Sequence, residues 1–304
     1  MKKYALWMAT TGLAVAAMLS ACGSGSASGS ASETTAAAET TAAAESAAET
    51  SSEAASETTD AYTIQSGTLM VGMEIGYPPM EYFDEDGATA IGYDVEVATA
   101  LAKQLGLELE LVDTAWDGIF AGVTTDKYDC IISSVSYTED RNSNYLLTAP
   151  YVANAPVIVV PNDSDIADIA DLAGKSVAVQ METTADYLIQ EEVANGLDTD
   201  LRQYEKVINA FDELKAGRVE AVCTDSVVAA FYLGDAASEY QTVWQAEEKE
   251  PIVICIKKGN EALAEKIDEG MAALFENGTM SELAVKYFGT EDVIEGLADG
   301  FGAN

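Results

Sequence analysis

The chain holds only three arginines, Arg141, Arg202 and Arg218, against 52 acidic residues. Arg141 closes the stretch "IISSVSYTEDR", Ile131 to Arg141, in which an apolar, strand-like start gives way to hydroxyls. A guanidinium is a planar fork that grips a carboxylate through two parallel hydrogen bonds. The serines beside it add short donors and acceptors. Other chemistries are poorly served. There is no histidine and no Cys-x-x-Cys pair. That argues against zinc, haem and a Ser-His-Asp triad, and neither a metal nor a cofactor is expected.

The formal net charge is −37 over 304 residues. Such a surface repels nucleic acid and anionic lipid and favours solubility, so no nucleic-acid partner is expected. The ends differ from the middle. Lys2 and Lys3 precede an uncharged apolar run, Tyr4 to Leu19, which reads as the n-region and h-region of a secretory signal over residues 1–21. The run is short for a membrane span, and no other run is long enough to be one. It stops at "LSAC", Leu19 to Cys22, which resembles a bacterial lipobox. That resemblance implies cleavage before Cys22 and a lipid, such as palmitate, on the cysteine. From Gly23 to Ala61 the chain is almost only Gly, Ser, Ala, Thr and Glu. Residues 22–61 therefore read as a disordered tether that reaches roughly 30–40 Å on average.

The residues that can do chemistry need elements to position them, and the texture from Tyr62 onward is globular. "TLMVGM" reads as a strand, "DVEVATALAKQLG" as a helix with Asp94 as N-cap and Gly106 just past its end. "LELELV" alternates as a half-exposed strand does. A helix near Trp116 to Val123 and the strand "DCIISS" follow. This rhythm predicts an α/β fold with parallel strands. A second block repeats it: "SVAVQ", a helix from about Thr184, "AFDELKAG", then "VEAVCTD". "TTDKYDCIISS" and "KAGRVEAVCTD" echo each other, Lys127 matching Arg218, Asp129 matching Glu220 and Ser134 matching Asp225. Two similar α/β lobes are expected. Ligands in such sheets bind beyond the C-terminal ends of the strands, so Ser134 and Asp225 should face one cleft. Lys127 and Arg218 read as exposed turn charges. Cys130, Cys223 and Cys255 sit in apolar strand-like runs and read as free buried thiols.

Residues 66–290 resemble the extracytoplasmic solute-binding proteins of polar amino-acid ABC transporters, family 3, with the type II periplasmic-binding-protein fold. The resemblance rests on an ordered set: "GTLMVGMEIGYPPMEY", "IGYDVEVATALAKQLG", "WDGIFAGVTTDKYDCIISSVSYTEDR", "APYV", "SVAVQMETTADY", "LKAGRVEAVCTDSVVA" and "VICIKKGNEALAEKID". It implies two lobes joined by a two-strand hinge, with crossings near Val152 to Pro156 and Lys249 to Ile252. One lobe would be 62–153 plus 251–304, the other 154–250.

The same resemblance implies a site for a free amino acid. Arg141 matches the arginine that binds the ligand carboxylate, and Asp225 the aspartate that binds its ammonium, with Ser134 and Ser136 as further polar contacts. Thr183 and Thr184 begin a helix whose free N–H groups would meet the same carboxylate. Glu182 stands where the family usually has glycine, and is expected to point to solvent. Ser133 is expected to point into the lobe. Tyr77 and Trp116 match the aromatic walls. Glu74 and Gln180 would read the side chain and favour a donor-rich one such as Arg, Lys, His or Gln.

The implied function is capture of an amino acid between the lobes and delivery to a permease and ATPase complex. The protein would be extracytoplasmic and monomeric, tethered through lipid on the outer face of the cytoplasmic membrane or in the periplasm. Two alternatives stay open: a dehydratase-type enzyme on the same fold, and a freestanding amino-acid sensor. Catalysis would need an acid/base pair in the cleft, and Glu74, Glu182 and Asp225 are the candidates.

Overall fold

The structure, a computed structural model, describes residues 62–236 and 239–302. The signal sequence, Cys22 and the tether lie outside the described residues. In chain order the elements are β1 (Thr68–Met73), β2 (Tyr82–Phe83), β3 (Ala90–Ile91), α1 (Tyr93–Leu105), β4 (Glu108–Asp113), α2 (Trp116–Thr124), β5 (Cys130–Ile131), α3 (Glu139–Asn144) and β6 (Tyr145–Leu147). Then come β7 (Pro156–Pro161), β8 (Ser176–Gln180), α4 (Thr184–Ala194), β9 (Asp200–Tyr204), α5 (Val207–Lys215), β10 (Ala221–Asp225), α6 (Ser226–Ala236) and β11 (Tyr240–Gln245). The chain ends with β12 (Cys255–Lys257), α7 (Glu261–Glu276) and α8 (Thr279–Phe288).

These strands build two five-stranded sheets, ordered β4-β1-β5-β12-β6 and β9-β8-β10-β7-β11, beside a small β2-β3 hairpin. In the first sheet β1 runs parallel to β4 and β5, and β12 runs antiparallel to β5 and β6. In the second β8 runs parallel to β9 and β10, and β7 runs antiparallel to β10 and β11. The two sheets therefore share one plan, as the internal echo predicts. Helices cover both faces of the second sheet. Val177 and Val179 of β8 pack with Ala185 and Ile189 of α4, while Ala178 between them packs with Ala210 and Leu214 of α5. A strand buried on both faces reads as a continuous apolar run, which is the texture of "SVAVQ".

The echo extends to side chains. Asp129, just before β5, accepts the N–H groups of Ile64 at 2.6 Å and Met70 at 2.7 Å. Glu220, just before β10, accepts the N–H of Ser176 at 2.8 Å. Each acid ties the start of its strand to the neighbouring parallel strand. Lys127 and Arg218 bond Thr114 and Glu213 at the surface. The chain passes between the sheets twice, after β6 and after β11. The two crossings are bonded to each other: Ile252 N–H donates to the Val152 carbonyl at 2.9 Å and Glu250 N–H to the Asn154 carbonyl at 3.0 Å. Cys130, Cys223 and Cys255 are free and buried.

Two local expectations need correction. Gly92, not Asp94, is the N-cap of α1, while Gly106 closes the helix in the left-handed conformation at φ 72°. Asp94 lies inside the first turn, fully buried, where it accepts from Ser134 N and Tyr151 Oη. The strand in "DCIISS" is shorter than its apolar texture suggests. Only Cys130 and Ile131 are strand, and the chain turns at Ser134, whose φ is 47°.

Candidate functional site

A cavity lies between the two sheets. Its walls are the loops that leave the C-terminal ends of β1, β5, β8 and β10, where parallel strands present free backbone and short turns. All ten cleft residues singled out in the sequence line it.

From the first sheet, the turn after β1 brings Glu74 and Tyr77. Glu74 is 3% exposed; its N–H donates to Ser133 Oγ at 3.0 Å, and its Oε2 accepts from Gln180 Nε2 at 3.0 Å. Burial pushes the Glu74 carboxyl up to about 7, against the opposing pull of Gln180 and Lys206. Trp116 stands at the start of α2 and donates its indole N–H to the Glu182 carbonyl at 3.0 Å. Beyond β5, Ser134 and Ser136 enter the cavity wall, and Ser134 Oγ is buried without a hydrogen-bond partner.

Arg141 sits in the first turn of α3, which Thr138 caps by accepting the Arg141 N–H at 3.1 Å. Its guanidinium is 5.0 Å from the Phe120 ring and 5.5 Å from the Trp116 ring, and donates to the Ser136 carbonyl at 2.7 Å. The residue is 7% exposed, and burial lowers its pKa. Among the described residues, no carboxylate lies within ion-pair distance of it.

From the second sheet, Gln180 ends β8, and Thr183 caps α4 by accepting the Asp186 N–H at 3.3 Å. Thr184 opens the helix, so the helix N-terminus with its free N–H groups lies at the cavity wall, which Arg141 also lines. Glu182 has φ 62°, the left-handed conformation that favours glycine, and its side chain is exposed. Asp225 ends β10. Its Oδ2 accepts from Tyr77 Oη at 2.6 Å and its Oδ1 from Asn154 Nδ2 at 2.6 Å. Burial raises its pKa, while those two bonds and Arg141 oppose the rise.

The lobes are in contact around the cavity. Tyr77 with Asp225, Glu74 with Gln180, and Trp116 with Glu182 bridge it, and Lys206 Nζ donates to the Ile75 carbonyl at 3.3 Å. The arrangement offers a buried cation and a helix N-terminus to an anion, a buried aspartate to a cation, and a weakly acidic carboxyl to a third group. Ser133, expected to point into the lobe, bonds Glu81 inward and also lines the cavity. Two participants escaped the sequence reading: Glu81 lines the cavity beside Ser133, and Asn154 orients Asp225. Glu81 stands in "PPMEYF", where an acid in a hairpin reads as surface charge. Its neighbours Met80 and Tyr82 are the only local hint of burial. Among the described residues no group of His, Cys, Asp and Glu is placed to hold a metal, and no helix is long and apolar enough to cross a membrane.

The profile of the bacterial extracellular solute-binding proteins, family 3, matches residues 69–290. The L-cystine-binding protein TcyJ of Escherichia coli (strain K12) is 29% identical over 229 residues, which cover 75% of this chain and 85% of that protein. The L-cystine-binding protein TcyA of Bacillus subtilis (strain 168) is 30% identical over 231 residues, 75% of this chain and 84% of its own. Among solved structures, an ancestral arginine-binding protein bound to arginine superposes with a TM-score of 0.69 at 34% identity, covering 73% of this chain and 98% of that one.

Proposed function

The chain belongs to the bacterial extracellular solute-binding proteins, family 3, and from that premise we propose that it captures a free amino acid between its lobes and delivers it to an ABC permease. The lobes are residues 62–153 with 251–304, and residues 154–250. The ligand carboxylate lies on Arg141 and the N-terminus of α4, with Thr183 and Thr184. Its ammonium lies on Asp225, with Ser134 and Ser136 beside it. Tyr77 and Trp116 wall the ligand, and Glu74 with Gln180 meets a polar or basic side chain. The chain is tethered outside the cytoplasmic membrane through lipid on Cys22 and works as a monomer.

One observation carries the reading. Arg141 is a buried cation on the cavity wall without a carboxylate partner among the described residues. A buried charge is costly unless it is paired and hydrogen-bonded, and a ligand carboxylate supplies that pairing. The cation sits in the same cavity as the buried carboxylate of Asp225, which matches the charge pattern of a zwitterion. Relatives that bind L-cystine, and a structural neighbour that binds arginine, support an amino acid with a second polar group.

A thermal-shift screen of the chain from residue 62 onward against the twenty amino acids, cystine and ornithine tests this. A ligand at a hundredfold its Kd adds about 2.7 kcal/mol of stability, which moves the melting temperature by several degrees. No shift with any amino acid would remove the proposal.

A further inference from the structure

At the cavity wall, where Glu81 lines it and Asp94 lies behind, two carboxyl groups meet without a cation. Glu81 is 1% exposed and Asp94 0%. They come from different segments, the β2 hairpin and the first turn of α1, and face each other within hydrogen-bonding reach. Each holds one of two consecutive residues of the same turn. Ser133 Oγ donates to Glu81 Oε1 at 2.6 Å, and Ser134 N–H donates to Asp94 Oδ2 at 2.8 Å. Tyr151 Oη donates to Asp94 Oδ1 at 2.8 Å. Asp94 is thus supplied with donors on both oxygens, whereas Glu81 Oε2 is buried without any donor.

Other titratable groups facing the pair are Glu74 and Tyr77 from the turn after β1, Tyr93 from α1 and Tyr151 from the crossing after β6. None of them is a cation. Two buried carboxylates in contact cannot both ionise without one. A single proton on Glu81 Oε2, donated to Asp94, removes the repulsion and satisfies the one oxygen that lacks a partner.

We propose that Glu81 and Asp94 share one proton and act together as positioning residues, holding the Ser133–Ser134 turn in the conformation that meets the ligand. The turn needs holding. Ser134 is a non-glycine residue at φ 47°, a left-handed conformation that its Cβ disfavours. Ser134 lines the cavity, and its Oγ is buried without a hydrogen-bond partner. The positioning role rests on the amino-acid reading of the cavity; the shared proton does not. Burial and the neighbouring Asp94 charge both push the Glu81 carboxyl upward, in keeping with a proton retained at neutral pH.

The linkage has a definite sign. The folded chain keeps a proton that the unfolded chain releases in the ordinary carboxylate range, so stability falls as pH rises above that range. Glu81→Gln carries its own hydrogens: the amide donates to Asp94 and its oxygen still accepts from Ser133. Its melting temperature relative to the parent should therefore climb as pH rises from about 4.5 to about 8, by the slope of one proton. A purely structural glutamate gives a difference that does not move with pH.

The binding arm uses L-arginine and L-cystine in calorimetry. Glu81→Gln, which keeps an acceptor for Ser133, should lose clearly less affinity than Glu81→Leu, which removes that acceptor and should lose about tenfold or more. If Glu81→Leu does not fold, the glutamine variant still decides through its pH slope. A pH-independent melting difference, or equal affinity losses in both variants, would overturn the proposal. If the parent binds neither amino acid, the capture reading and the positioning role fall together, and the pH slope alone decides the shared proton.

Discussion

Tyr77 donates its phenolic hydrogen to Asp225 Oδ2 at 2.6 Å, across the cleft between the two sheets. The residues are 148 positions apart, and each is at least nine-tenths buried. Asn154, on a crossing segment, holds the other carboxylate oxygen at 2.6 Å. The acid proposed to meet the ligand ammonium is therefore fixed from three sides: its own strand, the opposite lobe and the hinge. A carboxylate so held keeps its geometry when a ligand arrives, which lowers the ordering cost of binding. It also ties closure to the site, because the tyrosine reaches Asp225 only when the lobes meet.

Removing that tie should be measurable without a ligand. Tyr77→Phe leaves one buried oxygen of Asp225 without its donor, at a cost of about 1–3 kcal/mol. Urea unfolding of the ligand-free chain should show that loss. X-ray scattering should show a larger radius of gyration as the lobes part. An unchanged midpoint and unchanged scattering would mean that the contact adds nothing to closure.

Arg141 is the sharpest test of the carboxylate end. Arg141→Ala should weaken amino-acid binding by about 2–4 kcal/mol, since the ligand carboxylate is then buried without its partner. Arg141→Lys should recover only part of this, because a point charge cannot reproduce the two-pronged fork. Titration calorimetry on the best ligand from the screen reads both. Equal affinity in all three proteins would move the carboxylate elsewhere.

How much of this was legible depends on how far apart the partners lie in the chain. Arg141 was visible because an arginine after a serine run is unusual in so acidic a chain. Asp225 was visible because the stretch that ends on it echoes the one that runs to Ser134. Asp94 was misread because an acid before an apolar helix is a good local cap. Its actual partners, Ser134 and Tyr151, stand 40 and 57 residues away, and tertiary bonds overrode the local preference. Glu81 was missed for the same reason, since Ser133 is 52 residues distant. The strand before Ser133 looked longer than it is because apolar texture does not reveal a left-handed residue.

Glu182 offers a stability test away from the ligand contacts. Its φ of 62° is one a side chain disfavours, and the side chain is exposed. Its backbone bonds, to Asp186 through N–H and to Trp116 through the carbonyl, survive substitution. Glu182→Gly removes the Cβ strain of about 1–2 kcal/mol but loosens the unfolded chain by about 0.5–1 kcal/mol. A net gain of about 0.5–1 kcal/mol is expected in chemical denaturation. A loss instead would mean that the glutamate side chain stabilises the turn.

Glu74 turns the other end of the cavity into a pH-dependent reader. Burial raises its carboxyl to about 7. In the ligand-free protein the folded chain thus holds a proton that the unfolded chain has released. The contribution of Glu74 to stability falls as pH rises from the ordinary carboxylate range to about 7, then levels off. A cationic ligand side chain reverses the preference, because it favours the ionised glutamate and expels the proton on binding. The affinity for L-arginine should therefore rise by about tenfold per pH unit below 7 and flatten above it. Glu74→Gln should bind L-arginine more weakly at neutral pH and lose the slope. Calorimetry in two buffers of different ionisation enthalpy counts the released proton directly. An arginine affinity that stays flat across this range in the parent would place the ligand's positive charge away from Glu74.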